Sequence, residues 1–137
     1  GTAADGVTGP SQWETGVTYN PDTAKARNLP WFGPSSSDFT TLYKQISGGV
    51  NPSYHSGEAG ASILVLANAL QTGNSMDTAT LRQTLGSADF MMFFGEFKID
   101  STGKQVGHEM VVIQWQKGTL MVVWPKEASQ ADVQYPY

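Results

Sequence analysis

A polar cluster at residues 53–58, Ser-Tyr-His-Ser-Gly-Glu, holds side chains suited to binding a small ligand. It begins directly after Pro52 and opens a predicted helix of mainly apolar residues. The free backbone N–H groups and the positive dipole end of a helix N-terminus favour an anionic or polar ligand group. The same residue types also serve as ordinary helix caps, with Tyr54 packing at the rim. The sequence is compatible with both a ligand site and plain capping.

Trp13 is the second candidate for contact with a ligand. It follows a short predicted strand and the turn Gly9-Pro10. Residues in this position of an α/β sheet face a crevice at the carboxyl ends of the strands. The alternative is a tryptophan that packs in the core or at a hinge. Trp31 and Phe32, in the loop that follows, either cover a cleft or fill a gap.

Catalytic and metal chemistry find little support in the sequence. Of the two histidines, His55 has a possible metal-ligand neighbour only in Glu58, whereas a zinc site needs three or four grouped ligands. His108 lies in the loop that enters a hairpin, where an imidazole can bond backbone carbonyls. No Gly-x-Ser-x-Gly motif occurs, and the absence of cysteine excludes disulfides and thiol catalysis. We therefore predict a protein with no catalytic residues, no metal and no cofactor.

Composition limits the partners that this chain can have. The 137 residues suffice for one domain at most, with 39% hydrophobic and 15% charged residues. A net charge of -4 and dispersed basic residues argue against nucleic acid or an anionic membrane as partner. No apolar run approaches the roughly 20 residues that span a bilayer. The chain begins at Gly1 without a secretory signal, so we expect material that is processed, cut or made in this form.

The pattern of turns and caps divides the chain, as a single domain or fragment, into four stretches. Residues 1–34 read as a short strand near 6–8 and a long irregular connection, because prolines and glycines recur throughout. Residues 35–88 contain three predicted helices: Ser37 and Asp77 are the N-caps of the first and third, and the second starts after Pro52 or Ser53. Residues 89–125 form a strand and a hairpin, and 126–137 an extended tail that lies against a neighbour.

The strand and hairpin are predicted from periodicity. Apolar residues alternate with polar ones from Phe93 to Asp100, which predicts one half-buried strand. A two-residue loop at Lys117-Gly118 predicts the cross-strand pairs Gln116–Thr119, Trp115–Leu120, Ile113–Val122 and Val111–Trp124. One face of the hairpin is then wholly apolar, whereas a slip of one residue would place Gln114 and Gln116 on that face.

The order of residues in this region resembles a known family, the type I periplasmic binding proteins, and most of all the branched-chain amino-acid or amide receptors of ABC importers. The matching residues are Asp89-Phe90, Phe93-Phe94-Gly95, Phe97, Asp100, Gly103, Val106-Gly107-His108, Met110-Val111-Val112, Gln114-Trp115 and Val122-Val123-Trp124-Pro125. Upstream they include Gly9-Pro10-Ser11-Gln12-Trp13, Asp38-Phe39, Tyr43 and Pro52-Ser53-Tyr54-His55. The resemblance covers nearly the whole chain but only the last portion of the family's chain.

The resemblance implies the C-terminal part of an α/β fold of two lobes. Such receptors are extracytoplasmic, close on a small polar solute such as an amino acid or amide, and pass it to the membrane subunits of an importer. In that family the loop before the second predicted helix faces the cleft between the lobes. Carried over to this chain, Tyr54, His55 and Ser56 become ligand-binding residues together with Trp13.

The same resemblance implies missing partners for the apolar surfaces of this chain. Helices and strands that are buried in a complete receptor would be exposed in a fragment, which favours association. We therefore expect the chain to pair with a second copy or with the remainder of its parent chain. The alternative function is a self-associating structural fragment without ligand binding of its own.

Overall fold

The computed structural model describes residues 2–135 and has an α/β architecture of helices and antiparallel sheets. The strands and helices, in chain order, are β1 (Thr8–Ser11), α1 (Pro21–Ala26), α2 (Ser36–Ile46), α3 (Tyr54–Gly73), α4 (Thr78–Ser87), β2 (Asp89–Met92), β3 (Gly95–Lys98), β4 (Val111–Gln116) and β5 (Thr119–Trp124). Single 3-10 turns occupy Thr2–Ala4 and Lys126–Ala128. One sheet has the order β1-β4-β5, and β2 and β3 form a separate hairpin. Pro136 and Tyr137, the end of the predicted tail, lie outside the described residues.

The three predicted helices correspond to α2, α3 and α4. Ser53 and Asp77 are the N-caps of α3 and α4, and their side chains accept hydrogen bonds from backbone N–H groups in the first turn. The cap predicted for α2 is wrong by two residues, because Ser35 rather than Ser37 accepts the N–H of Asp38. Three consecutive serines offer equivalent hydroxyls, so the capping residue is decided by packing rather than by residue type.

The helix α1 lies inside the stretch expected to be irregular. Asn20 accepts hydrogen bonds from the N–H groups of Asp22 and Thr23 at 2.8 and 3.2 Å. In return, the Thr23 hydroxyl accepts the N–H of Asn20, which completes a capping box. Pro21 occupies the first helical position, where its missing N–H costs nothing. The proline that suggested a loop therefore starts a short helix.

The prediction of one strand from Phe93 to Asp100 is also wrong. The chain turns at residues 93–94, so that β2 and β3 pair with Met92 opposite Gly95 and Phe90 opposite Phe97. Gly95 has a φ of 119°, a backbone conformation that residues with a Cβ rarely adopt. The alternation continued through Phe93 and Phe94 because both rings pack inward from a turn, and not because they share a strand.

The predicted hairpin register is confirmed at three of its four pairs. Gln116 lies opposite Thr119, Trp115 opposite Leu120, and Ile113 opposite Val122. The fourth pair is wrong, because Val112 rather than Val111 faces Trp124. An irregularity between Val112 and Ile113 shifts the register by one residue, as a β-bulge does.

Both faces of this sheet are covered in part. On the apolar face Val111 and Val122 enter the core. Trp124 does not lie on this face as predicted, because it pairs with Val112, and it is 51% exposed. On the opposite face Gln114 and Gln116 are only 1% and 8% exposed, because the tail lies across them. The side-chain amide of Gln116 donates to the carbonyl of Asp132 at 2.8 Å, and that of Gln114 accepts the N–H of Gln134 at 2.9 Å. The amide side chains thus hold the extended tail.

Trp13 is the centre of the core. Its side chain is fully buried, and its ring packs edge-to-face on Phe39 of α2 and on Phe93, with centroids 5.7 Å apart in each case. The indole N–H donates to the carbonyl of Phe93 at 3.1 Å, and the hydroxyl of Ser36 donates to the same carbonyl at 2.9 Å. The end of β1, the start of α2 and the turn of the β2–β3 hairpin are therefore held together.

Gly57 of α3 packs directly on this indole, and its replacement tests the packing. A Cβ at Gly57 would lie 2.8 Å from Cε3 of Trp13, so Gly57→Ala should lower the free energy of unfolding by about 1–3 kcal/mol through overpacking. Gly86→Ala in α4 is the matched control, because a Cβ there meets no atom within 4 Å. Urea denaturation should show a lower free energy of unfolding for Gly57→Ala and no such loss for Gly86→Ala. Equal stability of the two variants would contradict the packing described.

Candidate ligand-binding cleft

A cleft of about 710 Å³ lies between the first half of α3 and the β2–β3 hairpin. Its size is in the range of small-molecule sites in proteins. The helix, the hairpin and two loops contribute its lining residues, which are Gln12, Tyr54, His55, Glu58, Ala61, Ser62, Val65, Met92, Phe94, Glu96, Phe97, Gln105 and His108. The lining combines aromatic and aliphatic side chains with a few polar ones, which suits a small solute that has both characters.

Tyr54 and His55 contribute two aromatic rings to the cleft from the first turn of α3. Their rings stack with centroids 3.8 Å apart, and Tyr54 is 38% exposed. Pro52 is buried just before the N-cap Ser53, which sets where the helix begins. Two of the four predicted ligand-binding residues are therefore brought together at this surface.

Ser56 and Trp13, the other two predicted residues, lie outside this lining. The Ser56 hydroxyl donates to the hydroxyl oxygen of Tyr43 at 3.1 Å, and its N–H donates to Ser53 Oγ. Trp13 is buried behind the helix against Gly57. In these positions Ser56 participates in capping and Trp13 supports the wall of the cleft, while direct contact of either with a ligand stays a prediction.

Trp31 and Phe32, for which covering a cleft and filling a gap were both considered, pack beside β2. The indole N–H of Trp31 donates to the carbonyl of Gly33 at 2.7 Å. The ring of Phe32 lies edge-to-face on Phe90, with centroids 6.0 Å apart. Neither residue belongs to the lining of the cleft. Their contacts fit the gap-filling interpretation.

His108 reaches the cleft from the loop between β3 and β4. Its ring stacks on Phe94 with centroids 5.0 Å apart, and among the described residues its Nε2 is buried without a hydrogen-bond partner. Burial lowers the pKa of His108 below the usual 6.5, although the nearby backbone carbonyls of Gln12 and Phe94 act in the opposite direction. Because its pKa lies below 6.5, the imidazole is mainly neutral at pH 7.

Two carboxylates line the cleft, and they differ in their partners. Glu96 is largely buried and its Oε2 lies 2.8 Å from Nη2 of Arg27, so its charge is offset within the fold. Glu58 is exposed on α3, and its carboxylate forms no ion pair with the part of the chain that the structure describes. Lysine and arginine are absent from the described lining of the cleft. The charge that this surface presents to a ligand is therefore negative.

One signal in the sequence could have found more of this lining. Tyr54, Glu58, Ala61, Ser62 and Val65 follow the spacing of a single helix face. The spacing is hard to recognise because the helix is apolar on several sides. The hairpin residues Phe94 and Glu96 offered no such signal, since their placement depends on a turn that was not recognised.

Residues 2–135 offer little support for a metal site or a membrane-spanning helix. These residues contain no group of three or more histidine, aspartate or glutamate side chains arranged to hold a metal ion. They also contain no helix that combines the length and the apolar character needed to cross a bilayer. Within the described residues, the cleft with its aromatic and acidic lining is therefore the candidate functional site.

Comparison with protein families gives a match over most of the sequence. The family model described as "Periplasmic binding protein" matches residues 1–119. The chain belongs to the periplasmic binding protein family. The resemblance inferred from the residues of the β-strands and hairpin is therefore confirmed.

Individual relatives show how much of a complete receptor the chain matches. It is 29% identical over 110 residues to the Leu/Ile/Val-binding protein homolog 7 of Brucella suis, and 28% identical to that of Brucella abortus. The match covers 77% of this chain and 27% of each relative. The crystal structure of the leucine binding protein LivK from Thermotoga maritima superposes with a TM-score of 0.60 at 20% identity, covering 89% of this chain and 31% of that one. The chain thus has part of the fold of a type I periplasmic binding protein.

The half-buried imidazole of His108 makes the free energy of unfolding depend on pH. Since the folded-state pKa of His108 lies below 6.5, the unfolded chain takes up this proton first as the pH falls. The lowered pKa of His108 contributes fully to the free energy of unfolding above pH 6.5. This contribution is lost as the pH falls from 6.5 through the folded-state pKa. The melting temperature should therefore fall between pH 7 and pH 5, and less steeply for His108→Gln. An NMR titration that gives His108 a pKa at or above 6.5 would contradict this account.

Proposed function

We propose that this periplasmic binding protein chain is part of the extracytoplasmic solute-binding component of an ABC importer, with no catalytic activity. Its ligand is a small polar compound such as an amino acid or amide. The observation that carries the proposal is the cleft of about 710 Å³ at the start of α3, with the Tyr54 and His55 rings in its lining, in a chain of this family. Tyr54 and His55 contact the solute, while Ser56 and Trp13 are kept as predicted contributors.

The chemistry of the lining fits a solute with an aliphatic side chain. Val65, Met92 and Phe97 offer apolar surface, and Gln12 and Gln105 offer amide groups for polar atoms. The relatives are named for binding leucine, isoleucine and valine, or leucine alone. These names agree with a site that combines apolar and polar groups, and they support a branched-chain amino acid as the first ligand to test.

The chain spans less than a third of the relatives and of the structural neighbour, so further contacts to the solute have to come from elsewhere. We propose that the remainder of the parent chain, or a second copy, supplies the opposing wall. Receptors of two lobes bind by closing both around the ligand, which stabilises the closed state. The membrane subunits of an importer are the partners that would receive the solute.

A self-associating structural fragment is the second candidate function. Its support is apolar surface on α2 and α3, where Ile46 is 86% and Ile63 67% exposed. Leu42 and Leu66 extend the two surfaces. Exposed apolar side chains grouped in this way favour association with another protein surface.

Calorimetric titration with a panel of amino acids and amides tests the proposed function. Leucine should give measurable heat, and Tyr54→Ala should weaken its binding about tenfold or more, equivalent to roughly 1.4 kcal/mol, because the ring loses its contact with the solute. Tyr135→Ala is the matched control, since Tyr135 is 88% exposed and outside the cleft. The structural alternative would replace this function under two conditions. No compound gives heat while circular dichroism shows an intact fold, and the molar mass from light scattering rises with protein concentration.

A further inference from the structure

We propose that Gln105 is a positioning residue of the cleft: its side-chain amide takes the place of a neighbouring strand beside β3 and holds Glu96 and His108 in the wall. Such a residue governs the affinity for a solute through the wall that it fixes. This inference deepens the proposed function, on which its affinity measurement rests, and it is also tested in the chain without a ligand.

The amide of Gln105 bonds to β3 in the way that a neighbouring strand would. Its Oε1 accepts the N–H of Lys98 at 3.1 Å, and its Nε2 donates to the carbonyl of Glu96 at 3.2 Å. A peptide group offers the same pair, one acceptor and one donor, to the edge of a strand. Oε1 also accepts the N–H of Gly107 at 2.9 Å. This one side chain therefore joins β3 to the loop that carries His108.

The loop between β3 and β4 is held by hydrogen bonds more than by apolar packing. Residues 100–106 are exposed, so burial of apolar surface contributes little to its position. The far turn is closed by its own residues, because Asp100 Oδ1 accepts the N–H of Lys104 at 3.1 Å. Next to Gln105, the N–H of Val106 donates to the carbonyl of Lys98 at 2.8 Å. The position of the loop on β3 therefore depends on the bonds at and beside Gln105.

The loop lies close against β3 at Gly107, directly before His108. A Cβ at Gly107 would lie 2.9 Å from Cγ and from Oε1 of Glu96, so this close approach leaves no room for a side chain. At the next residue the imidazole stacks on Phe94, with centroids 5.0 Å apart. Glu96, His108 and Gln105 itself belong to the lining of the cleft. Three polar members of the lining therefore depend on how this loop lies on β3.

Direct contact with the solute is the competing role for Gln105. The chain uses both acceptor positions of Oε1 and one N–H of Nε2, which leaves the second N–H for a solute. The two roles differ in the ligand-free chain. Loss of a positioning residue changes the surroundings of His108 there, whereas loss of a contact to the solute does not.

The pKa of His108 reports on the position of the loop. Burial holds this pKa below 6.5. The opposite direction is favoured by the backbone carbonyls of Gln12 and Phe94 and by the carboxylates of Glu109 and Glu58. If the loop moves away from β3, the imidazole becomes more hydrated and its pKa should rise towards 6.5.

Gln105→Met tests the positioning role, because methionine keeps the length of the side chain and removes its hydrogen bonds. In an NMR titration of the ligand-free variant, the pKa of His108 should rise towards 6.5. The amide proton of Lys98 should exchange faster than in the unchanged chain, because its acceptor is gone. In calorimetry, leucine should bind about fivefold more weakly, the change that corresponds to one typical hydrogen bond.

Gln83→Met is the matched control, since Gln83 is exposed on α4 and lies outside the described lining of the cleft. It should leave the pKa of His108, the exchange of the Lys98 amide and the affinity for leucine unchanged. An unchanged pKa of His108 in folded Gln105→Met would overturn the positioning role. Weaker leucine binding combined with that result would assign a direct contact to Gln105 instead.

The unchanged chain supplies the measurement that does not depend on the folding of a variant. Its Lys98 amide proton should exchange far more slowly than that of the exposed Ser101, because Lys98 is bonded to Gln105. Exchange of the two protons at the same rate would overturn the inference. Absence of leucine binding to the unchanged chain would overturn the proposed function, while the His108 and Lys98 measurements would still decide whether Gln105 positions the wall.

Discussion

The buried indole of Trp13 is the contact on which the cleft depends. It follows β1 along the chain, lies against Gly57 of α3, and donates its N–H to the carbonyl of Phe93 in the β2–β3 turn. One side chain therefore sets the distance between the helix and the hairpin that form the two walls of the cleft. Because the ring is buried, a smaller side chain would leave a cavity, and the Phe93 carbonyl would keep the Ser36 hydroxyl but lose the indole donor.

The electrostatic character of the cleft follows from this packing. The Phe93–Phe94 turn that Trp13 holds also presents the ring on which His108 stacks, and the Nε2 atom of this half-buried imidazole is buried. Beside it, Glu96 is paired with Arg27, whereas Glu58 is exposed on α3 and forms no ion pair within the described residues. The chain that carries this cleft belongs to the periplasmic binding protein family.

Local signals in the sequence predicted much of this structure, and long-range packing explains what they missed. Ser53 and Asp77 cap helices through bonds within one turn, and the Lys117-Gly118 hairpin is set by its nearest neighbours, so both were predictable. The β2–β3 turn depends on Phe93 being drawn into the core by Trp13, a residue 80 positions away. Burial of Gln114 depends likewise on a distant tail segment. Tyr54 and His55 were predicted because they lie beside a cap, whereas Phe94 and Glu96 reach the lining of the cleft through the β2–β3 turn, which local signals did not indicate.

Hydrogen exchange of the indole N–H groups, followed by NMR, tests the central role of Trp13 most directly. The chain has four tryptophans, and Trp124 is half exposed, so its indole proton serves as an internal reference. Our account predicts that the Trp13 indole proton exchanges far more slowly than that of Trp124, because it is buried and bonded to the Phe93 carbonyl. Exchange of the Trp13 proton as fast as that of Trp124 would show that this contact does not hold the cleft together.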